Sequence, residues 1–487
     1  MDEQTKNLIS LLLTDPDPDM RRRAAEDLAE YSDRNILSVL SIALQDKNKG
    51  VGDAVSRSLL SIGGAPAARA IVHHIEDDNL ASRSMAAKLL FKLGKDSVHA
   101  LVPYLRDADK DIRKIAVDIL GEIKSKEPTY YLLPLLNDPD PNVLVSTLEA
   151  LGNIGSSEAI ELICGVFEKH PFARIIAIEA LGKIGGSTAR DYIESKFNEV
   201  IIDGNADETY VFSLLDAMGA VGNVKTLEII QTNYGNIKGP LRNMLLHAMV
   251  QVIERCNLEY QFDHKVRNDL LQALHSDSQN IQLSAAKGLV QFKDPQVTRD
   301  LLFSLGISEE MDFVIIAQMS ERPQVFQIAV ECLEGGLIRG KIQIIMLLGK
   351  LAIEFIHSFK YYDNYPIGSG ELNRAFAATA EFWREANQED WEIIADTLFG
   401  FDSDRALEFL SSVIIELDPW SRVHVIERLA AMPTQRALDC IARFCDDENE
   451  TVREAALSTL REAGYSKGVS TRTPLNESLE NKADQNV

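Results

Sequence analysis

Hydrophobic positions recur along this chain with a fixed spacing. Ile112, Ala116, Ile119, Leu120 and Ile123 fall at i, i+4, i+7, i+8 and i+11, as do Ala173, Ala177, Ala180, Leu181 and Ile184, and Val452, Ala456, Thr459, Leu460 and Ala463. That spacing lines one face of a three-turn helix. Each copy closes on the phrase Leu-x-x-(Ile/Leu/Val)-Gly or a variant of it: LLSIG to Gly63, LFKLG to Gly94, LGEIK to Lys124, LGNIG to Gly155, LGKIG to Gly185, MGAVG to Gly222 and LREAG to Gly464. With degenerate copies the phrase ends at 32, 63, 94, 124, 155, 185, 222, 253, 293, 352, 402, 433 and 464, and eight of the twelve intervals are 30 or 31 residues. Self-similarity at that period marks a repeat architecture. The small residues at the second and third positions predict a close approach by a neighbouring helix, and the closing glycine suits a left-handed C-cap.

A polar feature precedes these helices: TDPDPD at 14–19, RDADKD at 106–111, NDPDPN at 137–142 and CDDENE at 445–450. Asp and Asn cap helix N-termini and Pro blocks continuation of the preceding helix, so each acidic corner separates two antiparallel helices. The unit is therefore helix, acidic corner, helix, glycine. Two helices of about 12 residues, each roughly 18 Å long, cannot bury their shared apolar face alone, so the units must stack. The expected fold is an all-α, right-handed α-solenoid of about 12 to 15 antiparallel helical hairpins with a repeat of about 31 residues.

Eleven places before the end of the phrase stands a basic residue in eight of thirteen copies: Arg21, Arg83, Arg113, Arg174, Arg242, Lys341, Arg422 and Arg453. Random placement of 50 basic residues over 487 positions would supply about one. Either each reaches a corner carboxylate of the adjoining repeat, forming a ladder of ion pairs, or the row binds a ligand. The basic residues keep register with the repeat and with no additional motif, which favours the ladder.

The D-x-x-(V/I)-R corner followed by A-x-x-A-L-G-x-I-G, seen best from Asp109 to Ile123 and from Asp138 to Gly155, resembles the HEAT-repeat family in its short bacterial form, also seen in phycobilin-lyase-type repeat proteins. The resemblance spans about residues 1 to 465. It implies a scaffold and permits a role in handling a bilin chromophore. The His-Glu pairs of the HEAT-like di-iron hydroxylases are absent, since none of the nine histidines precedes a Glu. HEAT-like DNA glycosylases need a basic, aromatic-lined groove, whereas this chain carries 74 acids against 50 bases and a net charge of −24. That balance is the wrong sign for a nucleic-acid backbone binder.

Function in a regular solenoid is expected where the period fails. Residues 200–209 add a polar loop, residues 256–265 lengthen another unit, and between 352 and 402 Phe359, Tyr361, Tyr362 and Tyr365 precede the glycine-rich stretch Pro366–Gly370. Trp383, Trp391 and Trp420, the three tryptophans of the chain, follow. Tyr361, Tyr362, Tyr365 and the tryptophans are the candidate partner-binding residues, because aromatic anchors dominate binding hot spots. A tyrosine-packed loop and a Trp391 that replaces an ion pair by packing are the structural alternatives. The layout is one repeat domain over 1–465, regular over 1–190, irregular over 191–400 with the insertion near 359–371, and regular again over 401–465, with a disordered tail at 466–487.

Charge sharpens the picture. Residues 300–465 hold 29 acids and 14 bases, against 42 and 33 over residues 1–299. A basic partner surface would complement the C-terminal third, although a solvated outer row of helices also explains acids. Five scattered cysteines without a CxxC suggest a reducing compartment. The acidic N-terminus is unlike a signal peptide, and the most apolar run, Ile342–Ile356, is interrupted by Lys350 and Glu354, too short to span a bilayer. No HExxH, phosphate-loop, GxGxxG or GxSxG motif is present. The expectation is a cytoplasmic, bacterial, non-catalytic adaptor with a protein partner and no metal or cofactor; a bilin-lyase-like protein and an assembly chaperone are the alternatives.

Overall fold

The computed structural model describes residues 3–31, 33–203, 207–336, 339–357, 367–413, 417–430 and 434–465. They fall into two compact units, residues 1–261 and 262–487. Both are stacks of antiparallel helical hairpins, so the fold is an all-α solenoid, with fourteen hairpins among the described residues. No described helix is long and apolar enough to cross a membrane. Tyr361, Tyr362, Tyr365 and the tail at 466–487 lie outside the described residues.

The N-terminal unit holds eight hairpins, of which the fourth and fifth are the most regular. The fourth pairs a short helix, Val98–Leu101, continued by the 3-10 turn Val102–Arg106, with Lys110–Ile123. The fifth pairs Thr129–Leu132 and the turn Leu133–Asn137 with Pro141–Ile154. Pro103 and Pro134 stand at the start of those turns, where a missing amide and a fixed φ break the α-helical ladder. The corner that follows has two tiers. Asp138 accepts a hydrogen bond from the Asp140 amide at 2.9 Å, and Asp140 caps the next helix through the amides of Asn142 (2.9 Å) and Val143 (3.4 Å). Asp107 and Asp109 repeat the arrangement at 2.7 and 2.8 Å, and Asp447 and Asn449 repeat it at the other end of the chain. The Asp-x-(Asp/Asn) spacing is thus one carboxylate for the corner and one side chain for the cap.

The second helices pack on one another in register. A Cβ placed on Gly121 would lie 2.8 Å from both Cα and Cβ of Ala150, and one on Gly152 would lie 3.0 Å from the Cα of Ala180. Gly182 faces Ala217, and Gly219 faces Ala248, in the same way. Each second helix is therefore covered on two sides, and the buried set of Lys110–Ile123 is wider than the sequence stripe: Val117 and Gly121 are buried, while Ile112 and Ile123 are only half-buried. The phrase-ending glycine has two different reasons. Gly155 sits at φ 70 with its amide bonded back to Leu151 and Gly152, a left-handed cap, and Lys124 adopts φ 54 in the equivalent place. Gly222 departs from that expectation with φ −61: a side chain is excluded there because its Cβ would stand 2.5 Å from both the Met218 carbonyl oxygen and Val252 Cγ2.

The irregular intervals resolve into ordinary elements. The 37-residue unit arises because the first helix of its hairpin, Gly186–Asp203, runs for 18 residues, so 200–203 are helical and not part of a polar loop. In the C-terminal unit the 59-residue interval between 293 and 352 contains a whole additional hairpin, Pro295–Phe303 with Glu309–Met319, whose closing phrase has diverged beyond recognition. The next hairpins of that unit are Val325–Glu334 with Lys341–Ala352, Ser369–Phe382 with Trp391–Phe401, Ser403–Val413 with Pro419–Ala430, and Gln435–Ile441 with Glu450–Glu462.

Candidate functional site

The arginine row separates into fasteners and exceptions. Arg113 Nε and Nη2 donate to the two carboxylate oxygens of Asp138 at 2.9 and 2.8 Å, and its Nη1 donates to the carbonyls of Asp107 (2.9 Å) and Ala108 (3.2 Å). Arg21 does the same with Asp46 (2.8 and 2.9 Å) and with the carbonyls of Asp15 and Pro16. The geometry follows from the period: the arginine stands six residues after the first Asp of its own corner and 25 before the first Asp of the next. One guanidinium thus joins two corners with its fork and its remaining amine. Arg422 approaches Asp447 at 3.4 Å and Glu448 at 3.8 Å. The Arg21 guanidinium holds the Asp46 carboxyl below its usual range, against an opposing contribution from burial. The hydrogen bond to Asp46 in turn raises Arg21.

Other members of the row make different contacts. Arg174 donates through Nε to the Phe167 carbonyl (3.4 Å) and lies 5.3 Å from the Phe167 ring centroid, since the lengthened helix of the next hairpin displaces the corner it would reach. Arg453 bonds only to the carbonyls of its own corner, Asp447 and Glu448, at 2.7 and 2.9 Å, as expected of the last hairpin described. Arg83 has a buried Nε without a hydrogen-bond partner among the described residues. Arg242 donates to the Ile237 carbonyl (3.0 Å) and stands over the Tyr234 ring. Lys341 pairs with Glu385 at 2.6 Å. Where the row lacks a base, at Gly52, the corner carboxylate Asp77 is met instead by Gln45 (2.8 Å), His74 Nδ1 (2.8 Å) and Ser82.

The three tryptophans converge. Trp383, at the end of Ser369–Phe382, and Trp391, which opens the next helix, stack with ring centroids 5.5 Å apart and planes 7° from parallel. Trp391 Nε1 donates to the Trp383 carbonyl at 3.3 Å, and the Phe409 ring stands perpendicular to Trp383 at 5.7 Å. Trp420, at the start of Pro419–Ala430, completes the wall of a surface cavity of about 320 Å³. Ala395, Leu417 and Val425 supply its apolar lining, and Glu389, Glu392, Asp418, Ser421 and His424 its polar lining. Trp383 is 2% exposed and Trp420 77% exposed, so the first is a core side chain and the second is open to a partner. The Trp383 indole N–H has no hydrogen-bond partner among the described residues. Asp418 caps its helix through the amides of Trp420 (2.9 Å) and Ser421 (3.2 Å), which orients Trp420 at the rim.

The polar half of this site was not singled out by sequence. Its signal was the pairing of each outer tryptophan with acids: Glu389, Asp390 and Glu392 flank Trp391, and Asp418 stands two residues before Trp420. A second cavity, of about 590 Å³, also went unsuspected; it lies in the N-terminal unit among Phe167, Arg174, Lys196, Glu199, Asp207 and Tyr210. There Lys196 is already held by Glu168 (2.9 Å) and Glu199 (3.0 Å) and stands 5.5 Å from the Phe167 centroid. Burial and the hydrogen bond donated to Glu168 push the Tyr192 hydroxyl beside it upward. Among the described residues no group of three His, Cys, Asp or Glu is placed to hold a metal ion.

A family model described as HEAT repeats matches residues 5–92 and 98–181. No curated protein matches the chain. Among solved structures it is similar to an engineered protein at 16% identity and a TM-score of 0.24, covering 95% of this chain and 99% of that one. It is also similar to the karyopherin Kap121p bound to the SUMO protease Ulp1p, at 10% identity and a TM-score of 0.43, and to Kap121p bound to Nup53p, at 10% and 0.46. Both karyopherin matches cover 94% of this chain, which spans 62% of the karyopherin.

Proposed function

We propose, for a chain whose residues 5–92 and 98–181 belong to the HEAT-repeat family, that it is a non-catalytic scaffold of a cytoplasmic regulatory assembly, holding a protein partner with a basic surface. Stacked hairpins give a long surface that needs no deep pocket to bind a chain, because many modest contacts add up. The observation that carries the reading is the tryptophan cavity. Three tryptophan side chains line one cavity, with Trp420 exposed at its rim, inside the part of the chain where acids outnumber bases by 29 to 14. Aromatic anchors in a partly desolvated cavity are the usual centre of a protein interface.

Affinity capture from the native cell tests it, with the full chain compared against Trp420→Ala and against Phe313→Ala, a residue equally exposed at 75%. A partner kept by Phe313→Ala and lost by Trp420→Ala supports the reading. An identical partner set for all three proteins overturns it, as would a shifted chromophore band on adding a bilin to the purified protein.

A further inference from the structure

We propose that the tryptophan cavity receives the guanidinium of an arginine side chain, presented by a basic segment of the partner protein; the inference rests on the reading of this cavity as the partner contact. The lining contains three carboxylates, Glu389, Glu392 and Asp418, and no Lys or Arg. Two arginines of Pro419–Ala430 are engaged elsewhere, Arg422 with Asp447 and Arg428 with Asp396 at 2.6 Å, and Arg384, next to Trp383 in sequence, is not part of the lining. His424 Nε2 stands 3.4 Å from Glu392 and 3.8 Å from Asp396, so two acids already face it. Asp418 is committed to capping its helix through the amides of Trp420 and Ser421 and the Ser421 hydroxyl, and Glu392 faces His424, so it is Glu389, without an ion pair among the described residues, that leaves its negative charge most open to a cation from outside.

The aromatic wall selects the kind of cation. Trp383 gives one face to Trp391, meets Phe409 at a right angle and is 2% exposed, which leaves Trp391 and the exposed Trp420 to meet a ligand. A guanidinium lies flat on an indole and keeps its N–H edge free for carboxylates, whereas an ammonium is a strongly hydrated point charge without a flat face. At about 320 Å³ the cavity is at the small end of ligand pockets, of a size for one long side chain and not for a whole cofactor. Its rim opens to solvent at Trp420, so the arginine can arrive on a chain.

All three tryptophans of the chain line this one cavity, so intrinsic tryptophan emission reports on nothing else. The full-length protein is titrated with an acetylated pentapeptide amide, a central arginine flanked by glycines, and with the same peptide carrying citrulline or lysine. The arginine peptide should change the emission saturably. Citrulline, isosteric and uncharged, should bind about tenfold or more weakly, as should the arginine peptide to Trp420→Ala and to the double variant Glu389→Gln, Glu392→Gln, with helical circular dichroism unchanged in each. Equal binding of citrulline, tighter binding of lysine, or no saturable response to arginine overturns the proposal. If arginine fails while Trp420→Ala still loses its captured partner, the guanidinium assignment alone falls; if both fail, the cavity as partner contact falls with it. The chain's own tail carries Lys467, Arg472 and Lys482, and a changed emission on deleting residues 466–487 would instead assign the cavity to that segment and overturn a partner arginine.

Discussion

Replacing Arg113 by Met keeps the apolar stem and removes the guanidinium that joins two corners. The Arg113 and Asp138 side chains are 12% and 7% exposed, so the pair is neither a free surface ion pair nor fully buried. A solvent-exposed pair contributes at most about 1 kcal/mol, and breaking a buried one costs about 3 to 5 kcal/mol. Asp138 would keep the Asp140 amide at 2.9 Å and gain some water, which places the cost of Arg113→Met at about 2 to 3 kcal/mol. In a stacked array that loss falls on the two hairpins the guanidinium joins. Hydrogen exchange is therefore the assay: amides of Lys110–Ile123 and Pro141–Ile154 should exchange roughly 30- to 150-fold faster. Asp138→Asn in the Arg113→Met background should recover much of that protection, because an uncharged amide no longer demands a cation. The neighbouring pair whose cation is solvent-exposed, Lys110 with Asp140 at 3.2 Å, supplies the control, and Lys110→Ala should leave exchange almost unchanged. Equal effects of Arg113→Met and Lys110→Ala, or additive effects of Arg113→Met and Asp138→Asn, would refute the fastener. Partner capture by Arg113→Met should be unchanged; capture lost with exchange unchanged would return the row to ligand binding.

Gly121→Ala should destabilise by about 1 to 3 kcal/mol in urea unfolding, since its Cβ would meet Ala150 at 2.8 Å, whereas Gly165→Ala, in a helix with nothing within 4 Å of the new methyl, should stabilise by about 0.5 to 1 kcal/mol. Because Arg21 holds the folded Asp46 carboxyl below its unfolded value, the stability that Asp46 contributes is present above about pH 4 and lost as pH falls through the folded value. The gap between wild type and Asp46→Asn in acid-titrated denaturation curves should accordingly narrow as pH falls below about 4 and close once the folded carboxyl is protonated. Burial pushes the Cys164 thiol up to about 11, so at pH 8 iodoacetamide should label it about a hundredfold more slowly in the native chain than in urea; equal rates would contradict the placement. Trp420→Ala should leave the melting temperature within a degree or so, whereas Trp383→Ala, which empties a buried site, should cost about 3 to 5 kcal/mol.

How much was legible depended on where the information is stored. The helix face at Ile112–Ile123, the corner at Asp138–Asp140 and the closing glycine are local patterns, so period and composition disclosed them without coordinates. The same regularity led to the arginine register but could not say which members find a carboxylate. Arg113 and Arg174 are alike in sequence position, and only the length of Gly186–Asp203 separates a fastener from a cation over Phe167. The hairpin between 293 and 352 was hidden for a related reason: its second helix carries Ile315 and Gln318 at the positions of the small residues, and Arg322 and Pro323 stand where the phrase would close, and packed cores tolerate such exchange.

The chain by itself determined the class of fold, the length of the repeat and the acidity of its C-terminal third, because each is a sum over neighbours in sequence. Tertiary structure alone decided that Trp383, Trp391 and Trp420, spread over 38 residues, share one cavity while differing from 2% to 77% in exposure. A cavity is made by residues from several helices at once. Its shape depends on how those helices meet in space, and no spacing along one strand of sequence encodes that meeting.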